Sequence, residues 1–209
     1  MTRHVHETYD RIAHHFSQTR EYAWTEVESF VDDEEPATRA LDIGCGNGRH
    51  TELLAAHADA AVGVDASRGL LDEAVARAAE RGFDAAFVQG DAARLPLRES
   101  GCDLAVYVAT IHHLPTRDAR RASLDELARV LSADGRALVS AWSTAHSKFD
   151  RTDGFDTTVD WTLPGGDTVP RFYHIYAPDE FRADIDDSAL ELVDFELSSG
   201  NCYATVTKG

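Results

Sequence analysis

The sequence predicts an α/β fold: a mostly parallel, seven-stranded sheet with helices on both faces and a C-terminal antiparallel hairpin. Three observations carry this. Short apolar runs alternate with helical patterns from Ala40 to Trp142. The first run ends in a glycine-rich loop, Gly44-Cys45-Gly46-Asn47-Gly48, that opens a helix. Two further apolar runs, Leu190 to Leu197 and Cys202 to Val206, close the chain as a hairpin.

Each element has a local reason. Thr8 to Gln18 reads as a helix with Tyr9, Ile12, Ala13 and Phe16 on one face, and Trp24 to Val31 as a second. Asp32 to Pro36 reads as an acidic linker. Ala40 to Ile43 is the first strand and Arg49 to His57 the first core helix, with Leu53, Leu54, Ala55 and Ala58 toward the sheet. Ala61 to Val64 is the second strand. Ser67 caps a helix whose stripe is Leu70, Leu71, Ala74, Val75 and Ala78, stopped at Gly82. Ala85 to Val88 is the third strand, and Cys102 to Val108, nearly all apolar, is a fourth buried on both faces. Arg121 to Leu131 reads as a helix, which Asp134-Gly135 turns into a fifth strand, Ala137 to Trp142. Ser143 to Val169 is long and polar and reads as a partly mobile insertion. Pro178 starts the last helix, with Asp179 and Glu180 in its first turn.

Composition narrows the class. A chain of 209 residues with 43% hydrophobic residues holds one globular domain. The N-terminus has no leader pattern and no apolar run reaches membrane length, so a cytoplasmic location is expected, with no membrane partner. Cys45, Cys102 and Cys202 are too scattered for a disulfide framework or a zinc site, so no metal is expected. The net charge is −17, and the only lysines are Lys148 and Lys208. That excludes nucleic-acid binding through a broad basic face. An acidic, lysine-poor surface also suits concentrated salt, which screens its self-repulsion, and a halophilic source is expected.

The strand ends carry the chemistry. Three glycines spaced two apart let the backbone turn and approach a ligand, with helix N–H groups facing it. Asp65 ends the second strand about 20 residues after Gly44, the offset at which an acidic residue reaches ribose hydroxyls. A Gly-x-Gly-x-x-Gly dinucleotide fingerprint would need glycine where Arg49 stands. Gly90-Asp91-Ala92 follows the third strand, and Ala109-Thr110-Ile111-His112-His113 follows the fourth. Arg171-Phe172-Tyr173-His174 is a further cluster of aromatic and cationic groups.

Asp42-Ile43-Gly44-Cys45-Gly46-Asn47-Gly48 resembles motif I of the class I S-adenosylmethionine (SAM) methyltransferases, and Val64-Asp65-Ala66-Ser67 and Gly90-Asp91-Ala92 resemble their next two motifs. The resemblance implies SAM as cofactor on a Rossmann-like fold. It implies cofactor contacts from Tyr9, Asp42, Gly44, Cys45, Gly46, Asn47, Asp65, Ala66, Asp91, Ala92 and Ala109. The division expected is a helical lid over 1–36, a SAM-binding core over 37–142, a substrate-side insertion over 143–176, and a C-terminal helix and hairpin over 177–209.

A narrower likeness rests on Tyr9 to Arg20, ending Phe16-Ser17-Gln18-Thr19-Arg20, on Trp24, Val27 and Phe30, on Ile111-His112-His113-Leu114 with Arg117 to Arg121, and on Arg171 to Tyr176. These resemble the tRNA wobble-uridine carboxymethyl methyltransferases. That implies esterification of the carboxylate of 5-carboxymethyluridine at position 34, with the tRNA anticodon loop as partner. It also implies a heterodimer with a small zinc-binding activator at the third-strand edge. Arg20, His112, His113, Arg171, Tyr173 and His174 are then the candidate catalytic residues. A SAM methyltransferase acting on a small molecule, and a SAM-binding scaffold without turnover, are the alternative readings.

Overall fold

The computed structural model describes residues 5–209. The first four residues of the expected lid lie outside the described part. Helices α1 (Val5–Gln18) and α2 (Thr25–Asp33) precede strand β1 (Ala37–Ile43). Asp32 and Asp33 belong to α2, so the acidic linker is shorter than the sequence suggests. Then follow α3 (Arg49–His57), β2 (Ala58–Asp65), α4 (Arg68–Arg81), β3 (Ala86–Gln89), β4 (Cys102–Val108), α5 (Arg117–Val130) and β5 (Leu131–Trp142). The chain ends with β6 (Phe155–Thr162), β7 (Thr168–Ile175), α6 (Pro178–Asp186), β8 (Leu190–Ser198) and β9 (Asn201–Lys208).

The main sheet has the order β3-β2-β1-β4-β5-β9-β8. The pairs β1–β2, β1–β4, β2–β3 and β4–β5 are parallel, and β9 runs antiparallel to both β5 and β8. The order reverses between β1 and β4, so their carboxyl ends flank a crevice, where ligands bind in such sheets. Leu41, Ile43, Tyr107 and Val139 pack under Leu124, Leu127 and Phe181 on one face. Ala40, Val106 and Leu138 pack under Val27, Phe30 and Leu54 on the other. Among the described residues, no helix is long and apolar enough to cross a membrane.

Ser67 Oγ accepts from the Leu70 N–H at the start of α4, and Gly82, at φ +73°, ends it with its N–H on the Ala78 carbonyl, as the sequence predicts. Three expectations are corrected. Val75 is 54% exposed, because the buried stripe of α4 is confined to Leu70, Leu71 and Ala74. Helix α5 starts a turn earlier, at Arg117, since Thr116 Oγ1 accepts from the Ala119 N–H. Asp134-Gly135 does not break helix from strand. The register jumps from Cys102↔Leu131 to Leu104↔Arg136, so the pair sits in a bulge inside β5.

The fourth correction matters most. The stretch read as an irregular insertion forms the hairpin β6–β7, a second, two-stranded sheet. Pro164-Gly165-Gly166 makes its turn, with Gly166 at φ +88° and the Leu163 N–H on the Asp167 carbonyl at 2.8 Å. The hairpin lies against α1. Tyr9, Ile12 and Ala13 share a small core with Leu70 of α4 and Val169 of β7, and Phe16, Trp161 and Leu163 pack onto it.

Candidate active site

A cleft of about 300 Å³ opens at the carboxyl ends of β1, β2 and β4. Its lining includes Tyr9, Gly44, Cys45, Gly46, Asn47, Asp65, Ala66, Asp91, Ala92 and Ala109, all named from the sequence, together with His113. Gly44, Gly46 and Gly48 have φ of +71°, +55° and +78°. At Gly44 the need for glycine is double, because a Cβ there would meet Thr110 Oγ1 at 2.1 Å. Ala109 holds a left-handed φ of 52° at the end of β4, fixed by its N–H on the backbone oxygen and Oγ of Ser140. Backbone strain of this kind collects at functional sites.

The Asp65 carboxylate takes the Gly46 N–H at 2.9 Å on one oxygen and the Ser67 N–H at 2.8 Å on the other. It thereby ties the glycine loop to the end of β2, and its remaining lone pairs suit hydroxyl donors. Burial raises its pKa. Asp91 is exposed at the cleft rim, with one oxygen on the Ala93 N–H. Asp42 behaves differently. Strand alternation turns it away from the cleft into the α3 face, where its carboxylate accepts from Thr51 Oγ1 at 2.6 Å. Burial pushes its pKa up to about 7. Through Thr51 it seats α3. Cys45 is buried, and burial pushes its thiol well up, so it fills space rather than acting as a nucleophile.

Helix α1 and the α1–α2 connection are fastened to the core at two points. Asp10 Oδ1 accepts from Ser67 Oγ at 2.6 Å and from the Gly69 N–H at 2.9 Å, so α1 clasps the start of α4. Asn47 Nδ2 donates to the Arg20 carbonyl at 2.8 Å, joining the glycine loop to the α1–α2 connection. Phe16 also lines the cleft.

The second half of the site lies between the β4 end and the hairpin. His112 and His113 form a 3-10 turn with Ile111. His112 is buried, and its Nδ1 accepts from the Trp142 N–H at 2.9 Å, which puts the ring proton on Nε2. Burial holds its pKa well below the ordinary value. His113 Nδ1–H donates to the Phe172 carbonyl at 2.9 Å, leaving Nε2 to accept from the Tyr9 hydroxyl at 2.9 Å. Burial pushes the His113 pKa down to about 4. Burial also raises Tyr9 well above its usual value, so it stays a donor. Arg171 Nη1 donates to the Tyr9 oxygen at 3.4 Å. Tyr173 packs on His113, His112 and Trp142 with ring centroids 4.4, 5.0 and 5.4 Å away.

Arg171 is 7% exposed and its Nε has no hydrogen-bond partner. Among the described residues no carboxylate pairs with it. Its Cζ lies 4.9 Å from the Trp161 ring centroid, and Arg20 approaches the same ring at 5.6 Å. Burial and the neighbouring Arg171 lower the Arg20 pKa. Two guanidinium groups thus converge on one tryptophan beside the histidine pair. His174 is not with them. Alternation along β7 places it on the opposite face, its nitrogens on Asp156 at 2.7 Å and Glu180 at 3.0 Å. Sequence reasoning placed Thr110 at this strand end but gave no role to Asp10 or Trp161. Trp161 was legible in principle, from the alternation Phe155, Thr157, Val159, Trp161 in β6.

The cradle fits SAM on its own geometry: glycines where a Cβ would clash, the first residues of α3 in the lining, and carboxylates at the ends of β2 and β3. Comparison with known proteins agrees. A family model described as a methyltransferase domain matches residues 40–135. A protein of Encephalitozoon cuniculi, named only as a methyltransferase, is 34% identical over 213 residues, covering 99% of this chain and 96% of its own. The mouse tRNA (carboxymethyluridine(34)-5-O)-methyltransferase is 38% identical over 142 residues, 68% of this chain and 20% of that protein. The chain therefore spans about a fifth of that relative's length. Among solved structures, a chain from the Haloferax volcanii complex of a methyltransferase with its activator superposes with a TM-score of 0.72 at 15% identity, over 98% of this chain and 97% of that one. The near-full-length relative, the matched domain and the sheet order lead to one assignment: the chain belongs to the class I SAM-dependent methyltransferases.

Proposed function

We propose that this enzyme methylates the carboxylate of 5-carboxymethyluridine at the wobble position of tRNA, giving the methyl ester. The observation that carries the reading is Arg171, a buried guanidinium with an idle Nε and no carboxylate partner among the described residues. A lone buried cation is costly unless a ligand completes it, and a carboxylate matches a guanidinium fork. Relatives named as tRNA (carboxymethyluridine(34)-5-O)-methyltransferases, the mouse protein at 38% identity over 142 residues among them, support the choice of acceptor.

Gly44, Gly46, Asp65 and Asp91 would hold SAM, which supplies an electrophilic methyl group. The remaining work falls to side chains of the acceptor pocket. A carboxylate with a pKa near ~4 is ionised at neutral pH and needs no general base. Arg171, with Arg20 behind it, binds the carboxylate and orients it. His113, neutral and held by Tyr9, adds no positive charge that would blunt the attacking oxygen. His112 presents an Nε2–H beside it. Phe16, Trp161 and Tyr173 wall the pocket against water.

The same reading assigns a small zinc-binding activator to β3. Among the described residues that strand pairs only with β2, so one side of Ala86–Gln89 is open to strand addition. A fully active, monodisperse chain without a partner counts against this. The enzyme works in the cytoplasm, in concentrated salt, and its melting temperature should climb in molar KCl as the −17 net charge is screened.

The deciding experiment is nucleoside mass spectrometry of tRNA from cells with and without the gene. Accumulated 5-carboxymethyluridine and lost methyl ester are expected. An unchanged profile, in cells that make the modification, overturns the reading. The acidic surface then favours a small-molecule acid as acceptor, sought as an unmethylated metabolite in the same cells.

A further inference from the structure

A chain of rings leads from the histidine pair to the surface. Tyr173 touches Trp142 at 5.4 Å, and Trp142 touches Phe149 at 4.8 Å and His146 at 5.6 Å. Phe149 touches Phe155 at 5.5 Å. Trp142, His146, Phe149 and Phe155 are only half-buried. Two cations lie on these rings: Lys148 Nζ at 5.3 Å from the Trp142 centroid and Arg151 Cζ at 4.3 Å from that of Phe155. Both cations are exposed. An open recess formed by Phe149 to Asp153 adjoins them.

The placement is specific. Trp142 ends β5, next to the end of β4, so the rings stand at the same edge of the sheet as the cleft. The loop is also built rather than trailing. Lys148 N–H donates to His146 Nδ1 at 2.9 Å, Phe149 N–H to the His146 carbonyl at 3.0 Å, and Thr144 Oγ1 to the Thr152 carbonyl at 3.3 Å. Asp150 and Asp153 share the loop, so it is no general anion magnet.

We infer that Trp142, Phe149 and Phe155, with Lys148 and Arg151, form a stacking platform for the unpaired nucleotides that flank the target base in a single-stranded RNA loop. The inference rests on the reading of the acceptor given above. A chain of net charge −17 with two lysines cannot hold a polyanion by broad charge attraction. Stacking of bases on aromatic rings and guanidinium planes is the interaction left to it, and screening by salt weakens that least. One of the two lysines stands in this platform. The distance from the histidine pair is spanned by ring contacts alone, so a base in the acceptor pocket has its neighbours over the platform.

The test uses the full chain and a fluorescent RNA stem-loop carrying 5-carboxymethyluridine in its loop, with binding read by anisotropy. Methyl transfer to the stem-loop and to the free nucleoside is measured alongside. Phe149→Ala and Arg151→Ala should each weaken stem-loop binding about tenfold. They should leave SAM affinity and the rate on the free nucleoside at the parental level. Arg151 is exposed, so its variant keeps the test sound if Phe149→Ala folds poorly. Parental stem-loop affinity in Arg151→Ala and folded Phe149→Ala overturns the platform, as does a parent chain that binds no RNA. Variants that bind the stem-loop normally yet lose an activator protein show a protein-docking face and overturn it too. Platform-dependent RNA binding without methyl transfer to either acceptor supports the platform and strikes only the acceptor reading.

Discussion

The Tyr9 hydroxyl donates to Nε2 of His113 at 2.9 Å, joining the first helix to the end of β4. The same oxygen accepts from Arg171 at 3.4 Å. The cleft lining and the proposed acceptor groups therefore meet at one phenol. Tyr9→Phe keeps the ring over the cleft and removes only this junction. Cofactor affinity should stay within about twofold, while kcat/KM for the acceptor falls about tenfold, near ~1.4 kcal/mol. Isothermal titration and initial rates separate the two.

The rate should be flat from about pH 6 upward and fall on acidification. The acceptor carboxylate protonates near ~4. His113, with its pKa held at about 4 by burial, is neutral above that value and loses its hold on Tyr9 below it. A rate rising through an alkaline pKa would point instead to a hydroxyl acceptor and a base.

Asp42 gives a stability test with a definite sign. Its pKa is about 7 folded against 3.8 unfolded. Below the lower value it is neutral in both states and costs nothing. As pH rises, the unfolded chain gives up its proton first, so stability is lost progressively until the folded group ionises near 7. Asp42→Asn keeps an acceptor for Thr51. At pH 8 it should exceed the parent by on the order of 1–3 kcal/mol in denaturant melts, with the gain fading toward pH 4.

Gly44→Ala should abolish SAM binding, since the new Cβ lies 2.1 Å from Thr110 Oγ1 at a φ of +71°. Gly82→Ala is the matched control. Its φ is +73° but nothing lies within 4 Å of the added carbon. It should lose about 1 kcal/mol of stability and keep its cofactor affinity.

What the sequence showed and hid follows from the range of the interactions. Gly44, Asp65 and Asp91 were legible because each stands where a buried strand ends, and that position defines the ligand edge. Ser67 and Gly82 were legible because capping is local. The faces that His174 and Asp42 join were hidden for one shared reason. Parity along a strand decides which face a side chain joins, and a motif string carries no parity until the strand's ends are known. The β6–β7 hairpin escaped because its outward residues are Asp and Thr, so its apolar positions looked too sparse for a strand. Arg171's want of a carboxylate, and Arg20's meeting with it over Trp161, depend on chain segments far apart in sequence.

The small core shared by α1 and the hairpin has a consequence for how the enzyme breathes. Tyr9, Ile12 and Ala13 share this core with Leu70 and Val169, and Val5, Phe16, Trp161 and Leu163 pack onto it. Loss of either segment would expose this shared core to water. Helix and hairpin should thus protect their amides from hydrogen exchange as a single cooperative unit, below the stability of the main sheet. On the proposed reading, roof and wall would then open in one event, and spent cofactor and methylated acceptor would leave through one gate.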